Sequence, residues 1–327
     1  MIDMPAFELL YNNQSATHDI ALHLLDATYK DTLKGESDEL DITLEDTERK
    51  WMDAWYPSKG ATLNFKIGID GDAILDCGQF EIDEINITDS PNTVRIRALS
   101  AGINSPLRTV HYKAFDKVLL ADVIEQVAAT LGYTVEGKID PLMIERITQS
   151  ETDLAFIHRL AKTYGYIVKV KGKRLIFSRL DQLKSNNSVM TLHREDIHRG
   201  WEFRDQIRTV KKEATVTRQN PKTKRLVKSR TKSKGKTSAD KSISRASAAT
   251  SDAANARADA DLQQDNDPKA TGRLGCAGNT LLISGANFDL SGFARFDGQC
   301  LINTAMHSLS PRSGYSTGIE FIRLDVS

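Results

Sequence analysis

Gly314-Tyr-Ser-Thr-Gly318 has the spacing of a nucleophile elbow, in which a serine on a sharp strand-to-helix turn attacks an acyl group. That chemistry needs a strand before the motif, a helix after it, and an acid and a histidine downstream. Here Ile319–Leu324 reads as a strand and none of the residues following Gly318 is a histidine. The segment is therefore read as a tight turn between strands. His193-Arg-Glu-Asp-Ile-His198 offers two imidazoles to a metal, but a zincin helix sets His-Glu-x-x-His one turn apart. The spacing here is one residue too long and Glu195 is not adjacent to the first histidine, so solvated polar residues at a domain junction are expected. His158, between Ile157 and Leu160, is read as flanking a helix contact rather than as a base. Carboxylates abound, yet no spacing selects a glycosidase pair. Neither Walker A nor Gly-x-Gly-x-x-Gly occurs. No catalytic, cofactor-binding or metal-ligating residue is assigned, no cofactor is implied, and the chain is not expected to be an enzyme.

One charged segment remains. Lys211, Lys212, Arg218, Lys222, Lys224, Arg225, Lys228 and Arg230 crowd a predicted hairpin around the turn Gln219-Asn-Pro-Lys222. A single-strand nucleic-acid binder would interleave aromatic residues for base stacking, and this stretch has none. Two readings stay open: a mobile solvated hairpin, and an electrostatic contact with an acidic protein surface. The acid-rich first hundred residues of a neighbouring copy would supply such a surface, around Asp38-Glu39, Glu45-Asp46-Thr-Glu48 and Asp70 to Asp76.

The whole chain bounds these readings. It has 327 residues, enough for two or three domains, and Lys+Arg and Asp+Glu are both 44, so no global attraction to nucleic acid or membrane is expected. Cys77, Cys276 and Cys300 are odd in number and far apart, which argues against a disulfide framework and for a reducing cytosol. The first residues lack the features of a signal peptide, and no apolar run approaches the roughly 20 residues of a membrane span. A soluble protein without membrane insertion is expected.

The elements follow from periodicity. Alternation in Phe7-Leu9-Tyr11, Ile20-Leu22-Leu24, Leu40-Ile42-Leu44, Leu63-Phe65-Ile67-Ile69, Phe80-Ile82, Ile85-Ile87 and Val94-Ile96 predicts short antiparallel strands, a small barrel or sandwich. The period then changes, and Phe115, Val118, Leu119, Val123, Ile124, Val127 and Leu131 predict an amphipathic helix stopped by Gly132. Tyr133–Val135 reads as a short strand. Ile147–Gly165 reads as a second helix, its capping box at Ser150 and Asp153 and its stop at Gly165. Strands Tyr166–Val170 and Arg174–Ser178 follow around Lys171-Gly-Lys173. Beyond Gly200 strands are expected at Trp201-Phe203-Ile207, Ala214–Val216, Leu226-Val227, Thr280–Ile283, Gly298–Ile302 and Thr317–Leu324. Between them lie a flexible Ser/Lys-rich loop, Thr237–Thr250, and an Ala-rich helix, Ala248–Gln264. The fold class is mixed α+β, mainly β. The division is an N-terminal β-barrel (1–105), an α/β middle domain (106–198) and a second β-barrel (199–327) carrying the basic hairpin, the loop and the helix at about 237–266.

Four segments, Gln149–Ala161, Gly78–Ile85, Arg97–Ala101 and His307–Thr317, together resemble a known family, the late control protein D family of baseplate hub proteins in contractile phage tails and tail-like bacteriocins. Gln149-Ser-Glu-Thr-Asp-Leu-Ala-Phe-Ile-His-Arg-Leu-Ala161 is similar to its Glu-Ser-Asp-Leu-x-Phe-Leu-x-Arg-Leu-Ala segment. Gly78-Gln-Phe-Glu-Ile-Asp-Glu-Ile85 resembles its Gly-x-Phe-x-Val-Asp-Glu-Val strand, and Arg97-Ala-Leu-Ser-Ala101 its Arg-Ala-x-Ser-Ala. His307 to Thr317 resembles its turn of a His and a later Gly-Tyr-x-Thr. Ser150-Glu-Thr-Asp153 departs from the family's Glu-Ser-Asp, and the 237–250 loop is individual to this chain.

The resemblance implies a structural baseplate hub. Two related barrels per chain would form a homotrimeric ring of pseudo-sixfold symmetry, joining the sixfold tail tube to the threefold central spike. It implies tail spike and tail tube proteins as partners, with tape-measure and baseplate wedge proteins as further candidates and no specific nucleic acid. It places the chain in the baseplate of a virion or tail-like particle assembled in the bacterial host cytoplasm. An additional cell-wall-degrading or DNA-guiding role is the alternative.

Overall fold

The computed structural model describes residues 5–34, 37–53, 55–100, 109–205, 213–219, 226–232, 241–245, 251–266 and 270–324. The first unit holds β1 (Pro5–Tyr11), β2 (Gln14–Ser15), α1 (Thr17–Ala21), β3 (Leu24–Thr32), β4 (Glu39–Glu45), β5 (Thr62–Ile69), β6 (Leu75–Asp89) and β7 (Asn92–Leu99). A middle unit follows: β8 (Val110–Leu119), α2 (Leu120–Thr130), β9 (Thr134–Glu136), β10 (Met143–Thr152), α3 (Asp153–Tyr164), β11 (Tyr166–Lys171), β12 (Arg174–Arg179) and α4 (Leu180–Lys184). The rest comprises β13 (Ser188–His193), β14 (Ile197–Asp205), β15 (Glu213–Gln219), β16 (Leu226–Lys232), β17 (Lys241–Arg245), α5 (Ser251–Asn266), β18 (Ala270–Ala277), β19 (Asn287–Ser291), β20 (Gly298–Ser310) and β21 (Gly314–Arg323).

The chain is mainly β, as its period-two runs require. In β4 and β5 the apolar side chains alternate into the core, with Leu40, Ile42, Leu44, Leu63, Phe65 and Ile67 all buried. Separate barrels were expected; instead the strands of both β regions join in one open thirteen-stranded sheet. Its order runs β14-β18-β21-β20-β3-β4-β7-β6-β5-β1-β2, with β19 on β20 and β13 on β19. Among the described residues no pairing closes it into a barrel. The seam is β3 against β20, antiparallel from Thr304 opposite Thr32 to Leu309 opposite Ala27. Cores nonetheless form on each side of the seam, one around Tyr29, Phe65 and Phe80 and one around Phe288, Ile302 and Phe321.

The middle unit buries its own core between α2, α3 and β11–β12, with Val123, Ile124, Phe156, Leu160 and Phe177 fully enclosed. Gly165 ends α3 at φ +78°, the left-handed stop its sequence announced. The Ala-rich helix is present as α5, and its Ala253 packs into this middle core. β15 and β16 form the expected basic hairpin, which is joined by β17 in a separate three-stranded sheet packed on α5.

Several local expectations are overturned, each by tertiary context. Ile20 lies in α1, not in a strand: the Thr17 hydroxyl exchanges hydrogen bonds with the Leu9 backbone and folds the chain into a helical turn that buries Ile20 and exposes Leu22. Phe115 to Leu119 belong to β8, because β10 pairs with that segment along its length; the helix starts only at Leu120. By the same pairing Ile147–Thr152 are strand, Ser150 opposite Tyr112. The α3 cap is therefore Thr152, whose Oγ1 accepts from Ala155 N–H at 3.3 Å. Thr280–Ile283 is a turn closed by Asn279 Oδ1 on Leu281 N–H, which drops Leu282 into the core. Within the expected flexible loop, Lys241–Arg245 is strand, its backbone bonds supplied by β15. Gly314–Gly318 lies in β21, the hairpin turn coming just before it.

Candidate functional site

A charged cluster is enclosed at the seam between the two β regions and the middle unit. Asp31 on β3 points into it, and Asp38 enters from the segment before β4. Lys169 on β11 reaches across from the middle unit, and Ser284 arrives from the loop after β18. The Lys169 ammonium pairs with Asp31, donates to Ser284 Oγ at 2.8 Å and lies 3.4 Å from Asp38 Oδ2. Ser284 donates to Asp31 twice, through its backbone N–H at 2.8 Å and its hydroxyl at 2.7 Å. Asp38 accepts from Thr32 N–H at 3.0 Å and from the Tyr29 hydroxyl at 3.2 Å. Every unit of the chain contributes to one charged cluster, which satisfies the condition under which burying charge is tolerable.

Burial sets the electrostatics. It pushes Asp38 up to about 6 against the hydrogen bonds from Thr32 and Tyr29 that pull it down, and it raises the Tyr29 hydroxyl as well. Burial, aided by Lys171, pulls Lys169 down to about 7. With two carboxylates facing it, the ammonium remains the charge-balancing partner of the cluster.

Tyr29 links this cluster to a second one. Its ring stacks on His307 of β20, centroids 6.0 Å apart. His307 Nδ1 lies 2.8 Å from the Tyr315 hydroxyl and 3.3 Å from Thr317 Oγ1, and Nε2 lies 3.1 Å from Leu282 O. A carbonyl can only accept, so Nε2 carries the proton and Nδ1 accepts from Tyr315. Burial depresses His307 to about 4, keeping it neutral. His307 and Thr317 have no exposed surface, so no substrate reaches them; their chemistry is to pin β20, β21 and the 278–286 loop together.

The other candidates from sequence part company. His193 and Asp196 close a one-turn 3-10 helix, Asp196 accepting from His193 N–H at 2.8 Å, and no metal-holding group of His, Cys, Asp or Glu occurs among the described residues. Cys77, Cys276 and Cys300 are buried free thiols, Cys276 pushed up to about 11 by burial. Of the basic set, Arg218 lies on β15 opposite Val227, and Lys228 and Arg230 lie on β16 opposite Thr217 and Thr215. Lys211, Lys212, Lys222, Lys224 and Arg225 lie outside the described residues. Sequence reasoning did not find the Lys169–Asp31–Asp38 cluster. A lysine in an apolar strand, Tyr166-Ile-Val-Lys-Val170, was the available signal.

The geometry gives the resembling segments physical roles. Gly78 sits at a bulge of β6 with φ +98°. Arg97 pairs with Glu39 and approaches Glu84 at 4.0 Å, tying β7 to both neighbours. Asp153, buried at the start of α3, accepts from Gln149 Nε2 at 2.6 Å and lies 3.6 Å from His111 Nε2. Among curated proteins the chain is 31% identical over 199 residues to the probable baseplate hub protein of Escherichia phage 186, covering 59% of this chain and 50% of that one. It is 30% identical over 181 residues to the probable baseplate hub protein of Escherichia phage P2, covering 54% and 46%. The chain is similar to phage baseplate hub proteins. The expected likeness to hub proteins is borne out, and the chain spans about half the length of the curated relatives it matches. No family model matches. In fold, the hub-like chain resembles the 43 kDa tail protein of prophage MuSo2 from Shewanella oneidensis at TM-score 0.73 and 15% identity, over 98% of both chains. It also resembles a tail protein of Neisseria meningitidis MC58 at TM-score 0.73 and 14% identity, over 98% of this chain and 97% of that one.

Proposed function

We propose that this chain is a structural hub of a contractile-tail baseplate, three copies closing a ring between the sixfold tail tube and the threefold central spike. The sequence likeness to two probable baseplate hub proteins carries the reading. The fold supports it mechanically. A ring segment that transmits force must not hinge between its parts, and the unbroken β3–β20 seam with Lys169 clamped across it favours one stiff body. Tail spike and tail tube proteins are the partners this role requires, with tape-measure and wedge proteins beside them, in a virion or tailocin baseplate built in the host cytoplasm. His307 and the three free thiols are all buried, which suits a role without turnover.

The test is the mass of the purified chain in solution, with and without spike protein, together with particle images. Three copies in a closed ring are expected. A strict monomer in both conditions would overturn the reading.

A further inference from the structure

The cluster at the seam holds more than an ion pair needs. Lys169 Nζ pairs with Asp31 Oδ1, and a second carboxylate, Asp38, stands 3.4 Å from the same nitrogen. The Asp31 carboxylate is itself held at both oxygens. Oδ2 accepts from the Ser284 N–H at 2.8 Å and Oδ1 from the Ser284 hydroxyl at 2.7 Å. The side chains of Asp31, Asp38 and Lys169 are only 4%, 3% and 11% exposed, so little water reaches them. An amine held against a carboxyl group, a neighbouring acid to move protons and donors on the carboxyl oxygens are the parts that amide formation requires.

We propose that Lys169 and Asp31 condense into an isopeptide bond that joins β11 to β3 covalently, with Asp38 as the proton carrier. The ion pair is the reactant. The Nζ–Cγ bond forms and the Cγ–Oδ1 bond breaks. Two of the three ammonium protons leave with Oδ1 as water, carried there by Asp38, which ends in the state in which it began. Nothing is oxidised or reduced, and no co-reactant enters. The Ser284 N–H donates to Oδ2, where negative charge builds as Nζ adds, and that oxygen becomes the amide carbonyl.

The first proton transfer is within reach. Burial pulls Lys169 down to about 7 and pushes Asp38 up to about 6, so passing a proton from the ammonium to that carboxylate is uphill by only about tenfold. Between an ordinary lysine and aspartate the same transfer is uphill by about six powers of ten. Condensation also replaces a buried ion pair by a neutral amide, which removes the desolvation cost of two charges. Exclusion of water then protects the bond from hydrolysis. The reaction occurs once per chain, on the chain's own side chains, and is independent of the ring proposed above.

Mass spectrometry of the full chain is the test. Purified wild type is expected to weigh one water less than its sequence. Trypsin is expected to release Asp31–Lys34 joined to Thr163–Lys171, uncut at Lys169. Lys169→Arg and Asp31→Ala are each expected at full sequence mass. Asp38→Asn, its folding checked by circular dichroism, is expected to lose its water at least about tenfold more slowly than wild type when timed after cell-free synthesis. A wild type at full sequence mass overturns the proposal, and that measurement needs no variant to fold. A missing water with the two peptides separate in the digest also overturns it, because an aspartate that closes on its own backbone sheds water too. A folded Asp38→Asn that condenses as fast as wild type overturns the role given to Asp38.

Discussion

Asp31 and Ser284 lie 253 residues apart in the chain and meet through two hydrogen bonds, at 2.8 and 2.7 Å. The contact fastens the first β region to the loop that supports the second, and Lys169 of the middle unit locks onto the same two side chains. Removing the ammonium strands two buried carboxylates. Lys169→Met is expected to lower stability by about 3–5 kcal/mol, and adding Asp31→Asn to recover part of that. Urea denaturation checks it; a loss under about 1 kcal/mol would show that the ammonium is not the compensating charge.

His307 makes stability depend on pH in a defined direction. Its folded pKa of about 4 lies below the ordinary 6.5, so between those values the unfolded chain binds a proton that the fold refuses. The contribution is present above about 6.5 and lost as pH falls toward 4, amounting to about 3 kcal/mol. Asp38, pushed up to about 6, has the opposite slope in part of this window. A comparison with His307→Gln isolates the histidine: the stability gap between wild type and variant is expected to shrink as pH drops from 7 to 4.5. An unchanged gap would refute the assignment.

The start of α3 separates two capping schemes. Thr152→Ala removes the acceptor for Ala155 N–H and is expected to cost about 1 kcal/mol. Ser150→Ala, on an exposed position of β10, is expected to stay within about 0.5 kcal/mol. Thermal melts of the pair decide between them, and the reverse ranking would restore the sequence-based cap.

Gly278 allows the Tyr315 ring to lie against the backbone. A Cβ at this position would fall 2.0 Å from Tyr315 Cδ1. Gly278→Ala is expected to displace the ring from His307 and to cost about 1–3 kcal/mol, seen as a lower unfolding midpoint. A neutral effect would mean that the ring moves freely.

Much of this was legible in the residues. Alternation located β4, β5 and β7, and Gly165 located the end of α3, because one buried face and one left-handed glycine leave local marks. The starts of the helices were misplaced for a common reason. Phe115, Val118 and Leu119 keep helical spacing and Ile147 to Thr152 holds a single apolar residue, so only the pairing of β8 with β10 makes both segments strand. The seam between β3 and β20 left no local trace, since a partner some 270 residues away imposes no pattern on Leu24–Thr32. The His307 segment was recognised through its spelling, and its hydrogen bonds to Tyr315, Thr317 and Leu282 supply the reason for that spelling.

The seam also sets a timetable. β3 is made some 270 residues before the strand that covers its edge. At roughly 5–20 residues per second, β3 waits on the order of 10–50 s with one side unpaired. Until β20 is made the first region has an open edge and Asp31 lacks Ser284, so a prematurely terminated copy retains an unfinished flank. Assembly of the sheet is thereby ordered in time: β20 must be made before β3 has a finished edge to present to a neighbour.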